Sequence, residues 1–256
     1  MAAIAALLDS RPAVAALRRS LLKDGPGVVS CRGAAALRRT LNHRVVEAVV
    51  LAPRPGILQE FSSLRADFPA IPVIAYAAFR PDDGELLALC HQHHVAAVVV
   101  EGVDDAVIGD LVRRASLAAE RHRALAHAPR LLRLTEPLQI GAWETLVEQA
   151  SQPTPTSRLA QRLGVSREHL SRQFGAGGAP NLKRVIDFLR LILAVQLLRN
   201  PGYTVTAVSG LLGFASPSHL GATARRVAGV GAGELGRLSP EVLLGRFVHG
   251  HTRSRL

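Results

Sequence analysis

Over its first hundred residues the chain alternates short, nearly unbroken apolar runs with stretches of helical periodicity. The runs fall at residues 3–8, 27–31, 47–52, 72–77 and 96–100, each rich in Val, Ile or Ala. Continuous rather than alternating apolar character marks a strand covered on both faces, so the pattern predicts a parallel sheet between layers of helices. Helices fit between the strands at 12–23, 33–42, 59–67 and 84–93, and a longer one at 105–124 closes the unit. Beyond it only the helical period remains. Residues 125–133 end a basic run and are expected as a linker, and 137–150 form one amphipathic helix with the single tryptophan, Trp143, in its core face. The prolines of 151–156 interrupt it, with Thr156 placed to cap the next helix. The expected organisation is an α/β domain at 1–124, a linker at 125–133, an all-α domain at 134–247 and a basic tail at 248–256.

Within the all-α half, 157–174 carries the spacing of two short helices crossing at a tight turn. Ala160 offers a small contact at the crossing, Gly164 relieves the turn, and Ser166 caps the second helix. Leu170 and Phe174, four apart, point inward and leave Arg167, Glu168, Ser171 and Arg172 outside. That outer face suits the major groove: Arg172 for a bidentate contact to guanine, Arg167 for a base or a phosphate, Ser171 for either. An ordinary helical hairpin with a solvated arginine face has the same pattern. The spacing recurs, however, in 204–226, where Ser209 and Gly213 repeat Ala160 and Gly164, and Ser216 is a cap with Pro217 at the first helical position. Leu220 repeats Leu170, seven rather than six residues after the glycine.

Two such motifs joined by a helix at 182–198 resemble the DNA-binding domain of the AraC/XylS family of bacterial transcription regulators, over roughly residues 136–246. The run GFASPSHL at 213–220 is similar to that family's glycine-phenylalanine-x-serine-x-serine-aromatic-phenylalanine, with His219 and Leu220 in the two aromatic places. The resemblance implies double-stranded DNA as partner, RNA polymerase as a further one, and a contact set of Ser218, His219, Arg225 and Arg226 in the second motif beside Arg167, Glu168, Ser171 and Arg172 in the first. The second motif departs from the family. Ala224 stands in the place of the core phenylalanine, Ala222 in that of an exposed reader, Gly221 on the reading face, and 227–234 is glycine-rich. The first motif is therefore expected to read bases, and the second to act mainly on phosphates through Arg225 and Arg226.

Charge agrees with that division. The net charge is +11; residues 1–130 hold 16 Arg plus Lys against 13 acids, and residues 131–256 hold 15 against 7. A basic half is the footprint expected for phosphate binding, although only two of the basic residues are lysine and the arginine excess partly reflects an Ala, Leu, Arg and Gly-rich composition. Two cysteines, Cys31 and Cys90, exclude a disulfide scaffold and point to a reducing compartment. No apolar run reaches membrane-spanning length, and the opening MAAIAALLD lacks the basic region of a signal peptide. The expected location is the cytoplasm, on the nucleoid when DNA is bound.

The α/β half, through 47–56 and 71–77, resembles the receiver domain of two-component response regulators, a flavodoxin-like five-stranded parallel sheet. The receiver's chemistry is missing. Ala52 stands where the phosphorylated aspartate would end the third strand, Ala77 where a hydroxyl follows the fourth, and Glu101 where a lysine follows the fifth. Of the acidic pair that would hold magnesium only Asp9 is left, beside Ser10. Without the carboxylate there is no acyl-phosphate nucleophile. The resemblance thus implies a degenerate receiver that serves to form a homodimer, or to bind something other than phosphate, through the same surface; a generic flavodoxin-like domain fits the same pattern. The run Cys90-His-Gln-His-His94 is poorly spaced for a metal and reads as a helix C-terminus, where histidines suit the dipole. Asp82-Asp83 and Asp104-Asp105 read as helix caps. No phosphate loop is present. The sum is a sequence-specific DNA-binding transcription regulator, without cofactor or metal, not an enzyme and not controlled by phosphorylation. The alternatives are a protein-interaction module that has lost specific DNA binding, and a flavodoxin-like or phosphotransfer enzyme.

Overall fold

A computed structural model describes residues 2–21, 25–151 and 154–253. The end of the helix expected at 12–23, part of the interrupting segment 151–156 and the last three residues of the tail lie outside them. The described chain forms two compact units, Met1–Glu120 with Asn200–Tyr203, and Arg121–Arg199 with Thr204–Leu256.

The first unit is built on β1 (Ala3–Leu7), β2 (Gly27–Ser30), β3 (Val46–Leu51), β4 (Val73–Ala77) and β5 (Ala97–Val100). All pairings are parallel and the order is β2-β1-β3-β4-β5, the doubly wound order of flavodoxin-like sheets. Each strand begins and ends within one residue of its expected place, because β1 and β3 are buried along their whole length and so show the unbroken apolar signature. The helices are α1 (Arg11–Ser20), α2 (Ala34–His43), α3 (Pro55–Asp67), α4 (Gly84–Gln92) and α5 (Ile108–Ala115). One face of the sheet, through Ile4, Ala6, Val50, Ile74, Tyr76 and Val99, packs with Leu17 of α1 and with Ile108 and Val112 of α5.

Three expectations need correction here. α3 starts four residues before the expected 59, because Pro55 sits in the first turn, where its fixed φ and missing N–H cost nothing. The helix expected at 105–124 is two, α5 and α6 (Leu117–Ala124). Ser116 is extended between them (ψ 162°); its Oγ accepts from Ala119 N at 3.3 Å and donates to Arg113 O at 2.7 Å. Nor do the aspartate side chains make capping bonds, although Asp83 stands at the N-cap position of α4. Asp83 accepts from Arg80 N, Asp104 from Val100 N, and Asp105 from Gly102 N and the Tyr76 hydroxyl, so all three close turns instead.

The second unit is helical: α7 (Ala128–Leu131), α8 (Pro137–Glu148), α9 (Thr156–Arg162), α10 (Arg167–Phe174), α11 (Leu182–Leu198), α12 (Val205–Leu211), α13 (Pro217–Ala228) and α14 (Pro240–Arg253), with short 3₁₀ turns at Ala176–Gly178 and Ala232–Arg237. Leu125, Ala128 and Leu132 of the expected linker are buried, as is Arg121, whose Nη1 donates to Gln196 Oε1 at 2.8 Å. The expected tail begins inside α14. α11 buries twelve of its seventeen residues, its second half being an almost unbroken apolar run, and Phe188 stacks on Phe247 of α14 at 4.5 Å between centroids. Trp143 is in the core. Thr156, expected as a cap, is instead the first residue of α9, after an extended Pro155.

Candidate nucleic-acid interface

Both turns form for the expected reason. Gly164 (φ 67°) and Gly213 (φ 68°) take the left-handed conformation that lets the chain double back after α9 and α12. Ser166 Oγ and Ser216 Oγ each accept the N–H of the residue three further on, His169 and His219, at 3.1 Å. These caps fix where α10 and α13 start. Leu170 and Phe174 are fully buried on one side of α10, as are Leu220 and Ala224 on α13. Ala160 and Ser209 are the buried small residues at the two crossings.

On α10 the outward set Arg167, Glu168, Ser171 and Arg172 is exposed together, with His169 and Gln173 beside it. On α13, Ser218, His219, Ala222, Arg225 and Arg226 are exposed. Gly221 is not on that face, contrary to expectation. It is buried, and a Cβ there would sit 3.8 Å from the Cβ of Ala232, because the chain after α13 folds back beside it. Arg226 is also committed: its Nη2 lies 2.7 Å from Oδ2 of Asp187 on α11.

Asp187 belongs to a group that sequence reasoning missed. Its side chain is 8% exposed and also faces Arg190 Nη1 at 3.9 Å. Arg190 in turn donates from Nη2 to Leu212 O at 3.0 Å, at the end of α12, and lays its guanidinium over the Phe214 ring at 3.9 Å. Burial lowers the Arg190 pKa and the Asp187 carboxylate opposes that shift. Phe214 meets the His219 ring edge-on at 5.6 Å. The second motif is thus pinned to α11 by one acid and two arginines. A lone acid in the apolar run of α11 was the available signal, since a buried charge requires a partner. Gln139 was also missed; its Nε2 donates to Phe174 O at 2.9 Å, at the end of α10.

In the first unit Asp9, Ala52, Ala77 and Glu101 gather at the C-terminal ends of the strands. Ala52 follows β3 and donates its N–H to Leu7 O at 2.8 Å, and Glu101 N donates to Ala77 O at 2.9 Å. Ser10 donates to Glu101 Oε1 at 2.9 Å, and the Asp9 carboxylate pairs with Arg54. Beside them the Tyr76 hydroxyl gives Asp105 a hydrogen bond of 2.6 Å, which with the Gly102 N–H holds that carboxyl below the usual range. Cys31 and Cys90 are free and buried. Among the described residues no three His, Cys, Asp or Glu side chains come together as a metal site, and no helix is long and apolar enough to cross a membrane.

Residues 159–237 match the family model described as a helix-turn-helix domain. Among solved structures the chain is similar to full-length FixJ from B. japonicum, with 17% identity over 76% of this chain and 96% of that one (TM-score 0.38). It is similar also to RcsB from Salmonella enterica serovar Typhimurium bound to promoter rprA, with 15% identity over 74% and 99% (TM-score 0.36). A third likeness is to the xylose-binding transcription activator xylR, with 15% identity over 92% and 70% (TM-score 0.37). At such scores these three bear on neither fold nor function. No curated protein matches the chain.

Proposed function

We propose that the protein is a sequence-specific DNA-binding regulator of transcription, working in the cytoplasm, in which α10 reads bases and α13 mainly holds phosphates. The observation that carries this reading is the repeated serine-capped helix with an exposed polar face, within the half of the chain that holds 15 basic residues against 7 acids. Arg172 and Arg167 are the base-reading candidates; Glu168 and Ser171 flank them, and Ser218, His219 and Arg225 are the contacts of the second motif. Selection from random duplexes with the purified protein should enrich a defined site whose binding weakens steeply with salt. Enrichment of nothing, with binding independent of salt, would refute it in favour of a protein-interaction module.

Phosphorylation does not control this regulator. Ala52 supplies no nucleophile, Asp9 is occupied by a guanidinium where a receiver would hold a metal ion, and Ser10 and Glu101 bond to each other. Acetyl phosphate with magnesium should leave mass and DNA affinity unchanged; a stable phosphoryl adduct overturns this.

The first unit serves to pair two copies. Leu87 on α4, Val98 on β5, and Val103 and Val107 before α5 are apolar yet 42–76% exposed, an arrangement that favours a covered surface. The full chain should sediment as a dimer at micromolar concentration, and Val103→Asp should shift it toward monomer. A wild-type monomer would sink the idea.

A further inference from the structure

Gln139 stands in the first turn of α8, 1% exposed, and each end of its amide has defined partners. Oε1 accepts from the N–H groups of Thr135 at 2.9 Å and Glu136 at 3.0 Å. Nε2 donates to Phe174 O at 2.9 Å and lies 3.3 Å from Gln173 O and 3.2 Å from Ala176 O. With donors at one end and carbonyls at the other, the amide has a single sensible orientation. It satisfies orphan N–H groups at the start of one helix and orphan carbonyls at the end of another.

The second of these matters for DNA. α10 has eight residues, too few to stand alone in water, so its position comes from anchors outside it. Leu170 and Phe174 anchor its inner face. Its C-cap, Gly175, has φ −84° and ψ 0°, so no left-handed cap closes the last turn. Gln139 takes that place from another helix. Arg172 lies in this same last turn, and displacing a reading side chain by an ångström forfeits a bidentate contact to a base edge.

We propose that Gln139 is a positioning residue for base readout: it holds the end of α10 so that Arg172 meets its base, without itself reaching DNA. The inference rests on the regulator reading above. Gln139→Glu separates this role from a simple cap of α8. The carboxylate still accepts from Thr135 and Glu136, but it has no hydrogen for Phe174 O and faces the carbonyls with a charge. Gln139→Met removes both halves.

In the full-length protein, Gln139→Glu should speed amide exchange in the last turn of α10 by about fivefold to tenfold, the effect of one net hydrogen bond, and leave α11–α14 as in wild type. The ratio of affinities for the selected site over a scrambled duplex should fall about tenfold, the discrimination one bidentate side chain supplies, while affinity for the scrambled duplex stays within about twofold. Wild-type exchange in α10 for Gln139→Glu overturns the proposal. So does loss of protection across the whole helical unit, or an affinity ratio left unchanged. If the wild-type protein selects no site, the regulator reading fails instead, and the exchange result still decides whether Gln139 clamps α10.

Discussion

The two helix-turn-helix motifs share one frame and are held in it by different physics. In both, a glycine with positive φ and a capping serine start the outer helix, and residues four and eight after the cap are buried. From there they diverge. α10 is eight residues long, ends without a left-handed cap, and is anchored by a phenyl ring and a neutral amide. α13 is twelve residues long, ends on left-handed Gly229, buries its glycine beside the turn at Ala232, and is anchored by ions through Asp187. An anchor built from core contacts and an amide leaves every outward arginine of α10 free of ion pairs among the described residues. An ionic anchor uses one arginine of α13 to hold the helix, leaving Arg225 as the uncommitted cation. The inequality between the motifs is therefore in their anchoring as much as in the residues they display.

The matched core positions, Phe174 and Ala224, give the largest expected break. Phe174→Ala should destabilise the helical unit by about 3–5 kcal/mol, because a fully buried ring is removed and the site cannot fully collapse. Ala224→Phe should also destabilise, by about 1–3 kcal/mol, since Ala224 is fully buried in a packed site. Thermal unfolding followed by Trp143 fluorescence reads both. A neutral Ala224→Phe would mean that the second motif has a vacancy where its ring is missing.

The outward positions give the next. Arg172→Ala should cost about 1–3 kcal/mol of discrimination at one or two base pairs and little general affinity, as judged by repeating the selection with the variant. If the preferred sequence does not change, α10 is not the reader.

Much of this is legible in the chain alone, and the reason is local. Glycine turns, serine caps and buried strands each leave a signature within a few residues, so the frame of both motifs and all five strands could be placed from it. What escaped depends on partners far apart in sequence. The bond from Gln139 to Phe174 spans 35 residues and the pair of Asp187 with Arg226 spans 39. Gly221 looked like a surface glycine because nothing local shows that the turn at Ala232 covers it. Asp104 and Asp105 looked like caps because acid pairs before a helical stretch usually are, whereas here they tie the loop after β5 to Val100, Gly102 and Tyr76. Ser116 was passed over as an ordinary helical residue, though its hydroxyl gives the backbone an alternative to continuing the helix.

The ionic anchor can be tested alone. Asp187→Ala should destabilise the helical unit by about 1–2 kcal/mol in thermal unfolding, less than a fully buried pair would cost because the Arg226 side chain is 49% exposed. It should also free Arg226 for phosphate. A variant less stable in the melt yet steeper in the salt dependence of DNA binding would show both effects. Unchanged stability would mean that Arg190 and the packing of Phe214 hold the second motif without the acid.

The smallest effect separates two neighbouring arginines. The salt slope of binding counts phosphate contacts, roughly 0.9 per contact on duplex DNA. Arg225 is exposed and has no ion-pair partner among the described residues, whereas the Arg226 guanidinium rests on the Asp187 carboxylate. A phosphate that drew Arg226 away would have to replace an existing charge-assisted bond, so its net gain is small. Arg225→Ala should therefore make the slope shallower by about one unit for specific and scrambled duplexes alike, with the preferred sequence unchanged. Arg226→Ala should change the slope by less than about half a unit, and should lower stability by the same route as Asp187→Ala, so that the double variant Asp187→Ala, Arg226→Ala loses little more than either alone. Equal slope changes for the two arginines, with additive losses of stability, would mean that the pair opens when DNA binds. The second motif would then offer two phosphate contacts rather than one.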